Sequence, residues 1–197
     1  EQTGCVVNRK VAGTSDEMVQ LMQSGDYDLV SASGDASLRL IVGGDVQPLN
    51  LDLIPNFGDD IVAGMKGQIY DTLNGKSYGV PIGRGANILQ YNSHVVTEEP
   101  DSWSVAWEAD SPYAGKIIGY DAPIYIADAA IYLMATQPDL GIKNPYALDQ
   151  TQLDAAIALL QEQNKIVSEY WADPAAQITS FVGGTTDLGT SWEVLRK

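Results

Sequence analysis

The sequence predicts an α/β chain, and three observations predict it. Residues 116–134 run from a short apolar strand through Gly119-Tyr120-Asp121 into a long helix, and residues 27–42 repeat the pattern: a strand at 27–30 breaks at Ser33-Gly34-Asp35 into a second helix. The third is composition, since 45% hydrophobic content in 197 residues allows one large domain or two small lobes, each with its own core. Open α/β sheets place ligand sites where the carboxyl end of a strand feeds a helix. The junctions at Asp35 and Asp121 are therefore the first candidate sites.

In chain order, residues 1–4 read as the tail of a helix entering a strand at Cys5-Val6-Val7. Residues 14–23 predict a helix, because Thr14 and Glu17 have capping-box spacing, Met18, Leu21 and Met22 share a face, and Gly25 ends it. After the strand at 27–30, Asp35 is the expected N-cap of a helix over 36–42, closed by Gly43-Gly44. Asn74-Gly75 between two apolar-polar runs predicts a hairpin with a type I′ turn. Gly83-Arg84-Gly85 precedes a strand at 87–92, and the acidic stretch that follows, with Glu98, Glu99 and Asp101, reads as a crossover between lobes. Ser102 is placed to cap a short helix carrying Trp103 and Trp107 on one face. Beyond the 116–134 unit, where Asp121 is the expected cap and Pro123 fits the first turn, residues 138–145 form a loop. The 150–164 segment is the clearest helix, with Leu153, Ala156, Ile157 and Leu160 in one stripe. Asp173-Pro174 starts a helix carrying Ile178, Phe181 and Val182, and a strand at 187–192 follows.

Charge narrows the function classes. Eleven basic against 26 acidic residues give a net charge of −15 with no Lys/Arg cluster, which disfavours nucleic acid and leaves a cationic ligand or simple solubility. With one cysteine and one histidine, Cys5 and His94, the chain lacks the ligands for a structural zinc site, and neither a metal nor another cofactor is expected. No apolar run approaches the roughly 20 residues of a membrane span, and nothing reads as a signal peptide. Cys5 among valines reads as a buried structural thiol and His94 as solvent-facing. No nucleophile motif and no carboxylate pair suited to acid–base work stands out, so the chain is not read as an enzyme. Gly83-Arg84-Gly85 lacks phosphate-loop spacing; Arg84 there can reach a ligand carboxylate or form a surface ion pair. Tyr120 and Tyr125 flank Asp121, and aromatic rings beside a carboxylate suit an amine, although core aromatics are the commoner explanation. Trp192 closes the last strand as either core or cleft wall.

Taken in order, Gly25-Asp26-Tyr27-Asp28-Leu29-Val30 with Ser33 after it, Tyr78-Gly79-Val80-Pro81, Tyr91-Asn92, Asp101-Ser102-Trp103, Tyr113-Ala114-Gly115-Lys116 and Asp187-Leu188-Gly189 before Trp192 resemble the substrate-binding proteins of spermidine/putrescine-type ABC transporters. The resemblance runs the full length, from Thr3-Gly4-Cys5 onward. It implies a two-lobed clamp of the periplasmic-binding-protein type, with residues 1–92 a partial first lobe and 93–197 most of the second. It implies a cleft in which Ser33 falls on a ligand-contacting serine, Asp35 replaces a tyrosine, Asp121 matches an ammonium-gripping carboxylate and Trp192 packs on methylenes. Ile124 stands where the family has a second glutamate and Arg84 where an aromatic is usual. Within a ligand range of spermidine, putrescine and related amines or amino acids, those departures favour a monoamine, an amino acid such as 4-aminobutyrate or a short diamine over spermidine. The expected binding set is thus Ser33, Asp35, Arg84, Tyr120, Asp121, Tyr125 and Trp192, with one anionic contact at Asp121 and no second beside it.

The resemblance further implies an extracytoplasmic protein, periplasmic or a surface lipoprotein, that hands a small cationic or zwitterionic solute to a membrane permease. Alternatives are an enzyme or regulator on the same clamp, or a piece without binding activity. Because the family's chains start earlier and continue past Trp192, the clamp is expected to be incomplete at both ends. A sheet lacking a central strand is expected to self-associate, exchange strands or rearrange its first lobe unless the missing segments are supplied.

Overall fold

Capping chemistry sets most helix boundaries in the computed structural model, which describes residues 4–195. Helix α1 (Ser15–Gln23) begins where Thr14 Oγ1 accepts from the Glu17 amide at 3.2 Å. Glu17 reaches back to the amide of Gly13 rather than that of Thr14, one residue short of a closed capping box. Helix α2 (Gly34–Gly43) ends on Gly44 in the left-handed region at φ 76°. A four-residue helix, α3 (Asn56–Asp59), follows. The hairpin forms as the sequence predicts: Asn74 and Gly75 have φ 51° and 73°, as a type I′ turn requires, and join β1 (Thr72–Leu73) to β2 (Lys76–Ser77).

Four further strands, β3 (Asn87–Tyr91), β4 (Ile117–Tyr120), β5 (Val167–Trp171) and β6 (Leu188–Trp192), make one sheet in the order β3-β6-β4-β5. Strands β4, β5 and β6 are parallel, and β3 runs antiparallel to β6. After α4 (Ser104–Trp107), helices α5 (Ile124–Thr136) and α6 (Gln150–Gln163) carry the chain from β4 out to β5. Helix α7 (Pro174–Gly183) then returns it past β4 to β6. The order of strands thus reverses beside β4, and such a reversal leaves a crevice at the carboxyl ends, here those of β4 and β6.

The main core joins this sheet to α4, α5 and α6 through Trp107, Ile117, Leu133, Ala156 and Leu188, none more than 2% exposed. Gly189 sits at φ 150°, a conformation L side chains rarely adopt, and a Cβ there would collide with the backbone of Ile118. A smaller cluster of Val19, Ala36 and Leu40 holds α1 against α2.

Several expectations are corrected. Residues 27–30 form no strand: Leu29 is exposed, and among the described residues no strand pairs with them, which a strand needs for its backbone groups. For the same reason Cys5-Val6-Val7 is not a strand, and Cys5 lies exposed rather than buried. The helix tail read at residues 1–3 lies outside the described residues. Asp35 is not a cap, because α2 starts two residues early and Ser33 takes the N-cap position. Asp121 is not a cap either, since α5 begins only after Pro123. Ser102 accepts from the Ser104 amide at 3.1 Å, but the N-cap position of α4 is Trp103. On α6, where Asp149 and Gln152 close a full capping box, Ile157 faces outward from the Ala156 stripe. On α7, Val182 is exposed while Gln177 and Ser180 turn inward, Ser180 Oγ lying 3.1 Å from Thr186 Oγ1. Finally β3, from the expected first lobe, is paired along its length with β6.

Candidate functional site

Aromatic rings close the carboxyl ends of the three parallel strands: Tyr120 on β4, Trp171 on β5 and Trp192 on β6. Ring centroids lie 4.5 Å apart for Tyr120 and Trp171, 5.0 Å for Trp171 and Trp192, and 5.6 Å for Tyr120 and Trp192. Such tilted and edge-on contacts add to the stabilisation that burial gives. Trp171 is the buried member, its Nε1 donating to the Thr190 carbonyl at 2.9 Å. Tyr120 and Trp192 are half-buried and face an open cleft of about 1010 Å³.

The facing wall comes from earlier in the chain. Residues 30–35, entering α2, bring Ser33 and Asp35 to the cleft, and the 78–86 segment brings Arg84. Tyr70 packs so closely on Gly34 that a Cβ there would overlap its ring, and it meets Tyr146 edge-on at 6.3 Å. Carboxylates predominate: among the described residues Asp16, Asp35, Asp71, Asp121 and Glu193 line the cleft, against Arg84 as the lining cation. Asp16 is paired with Arg39 at 2.6 Å, and Asp35 accepts from the Ser33 hydroxyl at 2.6 Å with Arg39 4.0 Å away. Asp121 is anchored through its backbone amide, which donates to the Trp171 carbonyl at 2.8 Å. Its exposed carboxylate has no hydrogen bond or ion pair among the described residues, and the same holds for the guanidinium of Arg84.

This charge is felt by its neighbours. Burial pushes the Tyr120 hydroxyl up to about 12, helped by Asp35, Asp16 and Asp128. Tyr146 is raised by burial and then by Asp128 and Asp35. Asp128, on α5, is raised from 3.8 to about 6 by burial, with Asp35 adding to the rise and the hydrogen bond from Asn87 opposing it. A carboxyl with a raised folded-state pKa favours the folded state fully below its unfolded value. That contribution is lost as pH climbs from about 4 through 6.

Six of the seven residues expected from the sequence meet in this cleft: Ser33, Asp35, Arg84, Tyr120, Asp121 and Trp192. Tyr125 does not. It is 4% exposed, stacks on Trp107 at 5.1 Å and accepts from Gln163 Nε2 at 2.7 Å. One residue along a helix turns the side chain by about 100°, so with Ile124 in the cleft wall Tyr125 enters the core. Behind the cleft wall, Asp128 follows Ile124 by four residues on α5 and accepts from Asn87, a lining residue. Asn87, Asp128, Tyr146 and Trp171 were not anticipated. Only Asp128 had a local signal, its i,i+4 spacing from Ile124. Among the described residues no group of three or more His, Cys, Asp or Glu side chains is placed to hold a metal ion. No helix among them is long and apolar enough to cross a membrane.

A model of the bacterial extracellular solute-binding protein family matches residues 1–194. The chain belongs to that family. Its fold is similar to that of an ABC transporter substrate-binding protein from Bradyrhizobium japonicum, at TM-score 0.69 and 20% identity over 98% of this chain and 56% of that one. It is similar also to the spermidine/putrescine ABC transporter substrate-binding protein PotD of Streptococcus pneumoniae, at TM-score 0.63 and 17% identity over 92% and 53% of the two chains. A third is the TpPotD lipoprotein of Treponema pallidum, at TM-score 0.61 and 17% identity over 93% and 61%. The chain therefore spans a little over half the length of those structures, with the same mixed α/β architecture.

Proposed function

We propose that this chain is the solute-binding part of an ABC importer, acting outside the cytoplasmic membrane, and that its cleft holds a small amine. The observation that carries this is the cleft's composition: five lining carboxylates face one arginine between the rings of Tyr120, Tyr146 and Trp192. An ammonium group gains both an ion pair and a cation–π contact in such a place, whereas a carboxylate is repelled. Asp121 is the ammonium anchor, since its charge is unspent on any partner among the described residues; Trp192 covers the methylenes, and Ser33 and Asp35 contact the far side. The spermidine/putrescine transporter named among the similar structures supports the polyamine class. The sheet side of the cleft and the wall facing it act as two lobes, and their closure on the solute is the state a membrane permease reads. Arg84 favours a second reading, a zwitterion such as 4-aminobutyrate, with the carboxylate on its free guanidinium.

A thermal-shift screen of the full-length protein with putrescine, spermidine and 4-aminobutyrate tests this. Stabilisation of about 2.7 kcal/mol is expected with an amine at a hundred times its Kd, and Asp121→Ala should remove most of it. A shift from 4-aminobutyrate alone establishes the zwitterion reading. Silence from all three sinks both, and an unchanged shift in Asp121→Ala removes that residue from the site.

A further inference from the structure

Asn87 opens β3 directly opposite Trp192 on β6, and it lines the cleft. Its Nδ2 donates to Asp128 Oδ2 at 2.9 Å, and its Oδ1 has no protein partner among the described residues. An ionised carboxylate can only accept. While Asp128 is charged, the donor end of the Asn87 amide is therefore turned toward α5 and the acceptor end is left for the cleft. We propose that Asn87 is a ligand contact that offers Oδ1 to an ammonium N–H, and that Asp128 is the positioning residue that fixes this polarity. The inference rests on the amine reading above and deepens it: a fixed neutral acceptor selects a solute that presents N–H donors at this point.

The surroundings of Asp128 make the arrangement sensitive to pH. Asn87 from β3 is bonded to it, and the titratable groups that feel its charge or act on it are Asp35 from α2, Tyr120 from β4, Tyr146 from the loop before α6 and Tyr125 on its own helix; no cation is among them. Burial accordingly holds its carboxyl at about 6. Once protonated, the carboxyl can donate to Asn87 Oδ1, so the amide is free to turn over and present its NH₂ to the cleft. An amine that stays charged then meets a donor where it needs an acceptor.

Calorimetric titration of the full-length protein with putrescine, between about pH 5 and pH 8, tests this. Wild-type affinity is expected to fall as pH drops through 6 and to level off about tenfold below its value at pH 8, as linkage to one proton requires. Asp128→Asn keeps the shape but not the enforced polarity, so it should bind about tenfold more weakly at neutral pH and lose the slope. Asn87→Leu, similar in size without either polar atom, should do the same, and the double variant should be no worse than either single one. Circular dichroism checks each fold, with Asn87→Ala as the substitute if the leucine variant fails to fold. Wild-type affinity in Asp128→Asn, or a retained slope there, overturns the proposal and leaves the amine reading standing. Absence of putrescine and spermidine binding by the wild type overturns both.

Discussion

Ile117 and Ile118 are fully buried in a sheet, whereas Val6 and Val7, an equally β-prone pair, stand 83% and 79% exposed outside one. The contrast extends to the regions around them. Residues 87–192 hold the four-stranded sheet and the main core, while among residues 4–86 the ordered core is the contact of α1 with α2, and Leu29 and Ile82 project from irregular chain. Apolar, β-branched residues thus specify a strand only where another strand supplies its edge; helix starts need no distant partner, because the cap and the first turn satisfy each other locally. The cleft lies where the two regions meet, so one wall is built on the sheet and the other on the α2 entry and the loops around it.

Breaking the sheet should have the largest effect. Gly189→Ala drives a methyl into the Ile118 backbone at a φ suited to glycine, and the expected loss is on the order of 3 kcal/mol or more, read by urea denaturation. An unchanged midpoint would mean that the β4–β6 contact does not hold this region together. Leu40→Ala empties the α1–α2 cluster and should cost about 2 kcal/mol. Hydrogen exchange sharpens that result, since faster exchange confined to α1 and α2 marks two separable units, and faster exchange in β4 and β6 as well marks one. The smallest effect is expected from Val7→Ser, less than about 0.5 kcal/mol in the same denaturation assay, because its side chain already meets solvent.

What was legible in the sequence follows the same division. Thr14 with Glu17, Asn74-Gly75, Asp173-Pro174 and the strand at Ile117 each carry their signal within a few residues, and each lies close to where it was expected. Asp35 and Asp121 are not caps yet both line the cleft, because the start of a helix fixes where a residue lies better than it fixes one side chain's bond. The Asn87–Asp128 pair was not legible: its members are 41 residues apart, and their meeting depends on how α5 lies over the edge strand. Tyr125 failed for a subtler reason. Its proximity in sequence to Asp121 was real, but the helical turn between them decides which side of the sheet end each side chain reaches.

The ring trio at the strand ends also makes the cleft optically addressable. Trp107 and Trp171 are each 2% exposed and Trp103 packs against the core, so their surroundings are fixed by the fold. Trp192 is the tryptophan whose indole borders the cleft, within 5.6 Å of Tyr120 and 5.0 Å of Trp171. Excitation taken up by either neighbour can pass to it over so short a path. Any occupant that displaces water from its face shifts its emission to shorter wavelength, so the molecule carries an intrinsic fluorophore for reading occupancy of its own cleft.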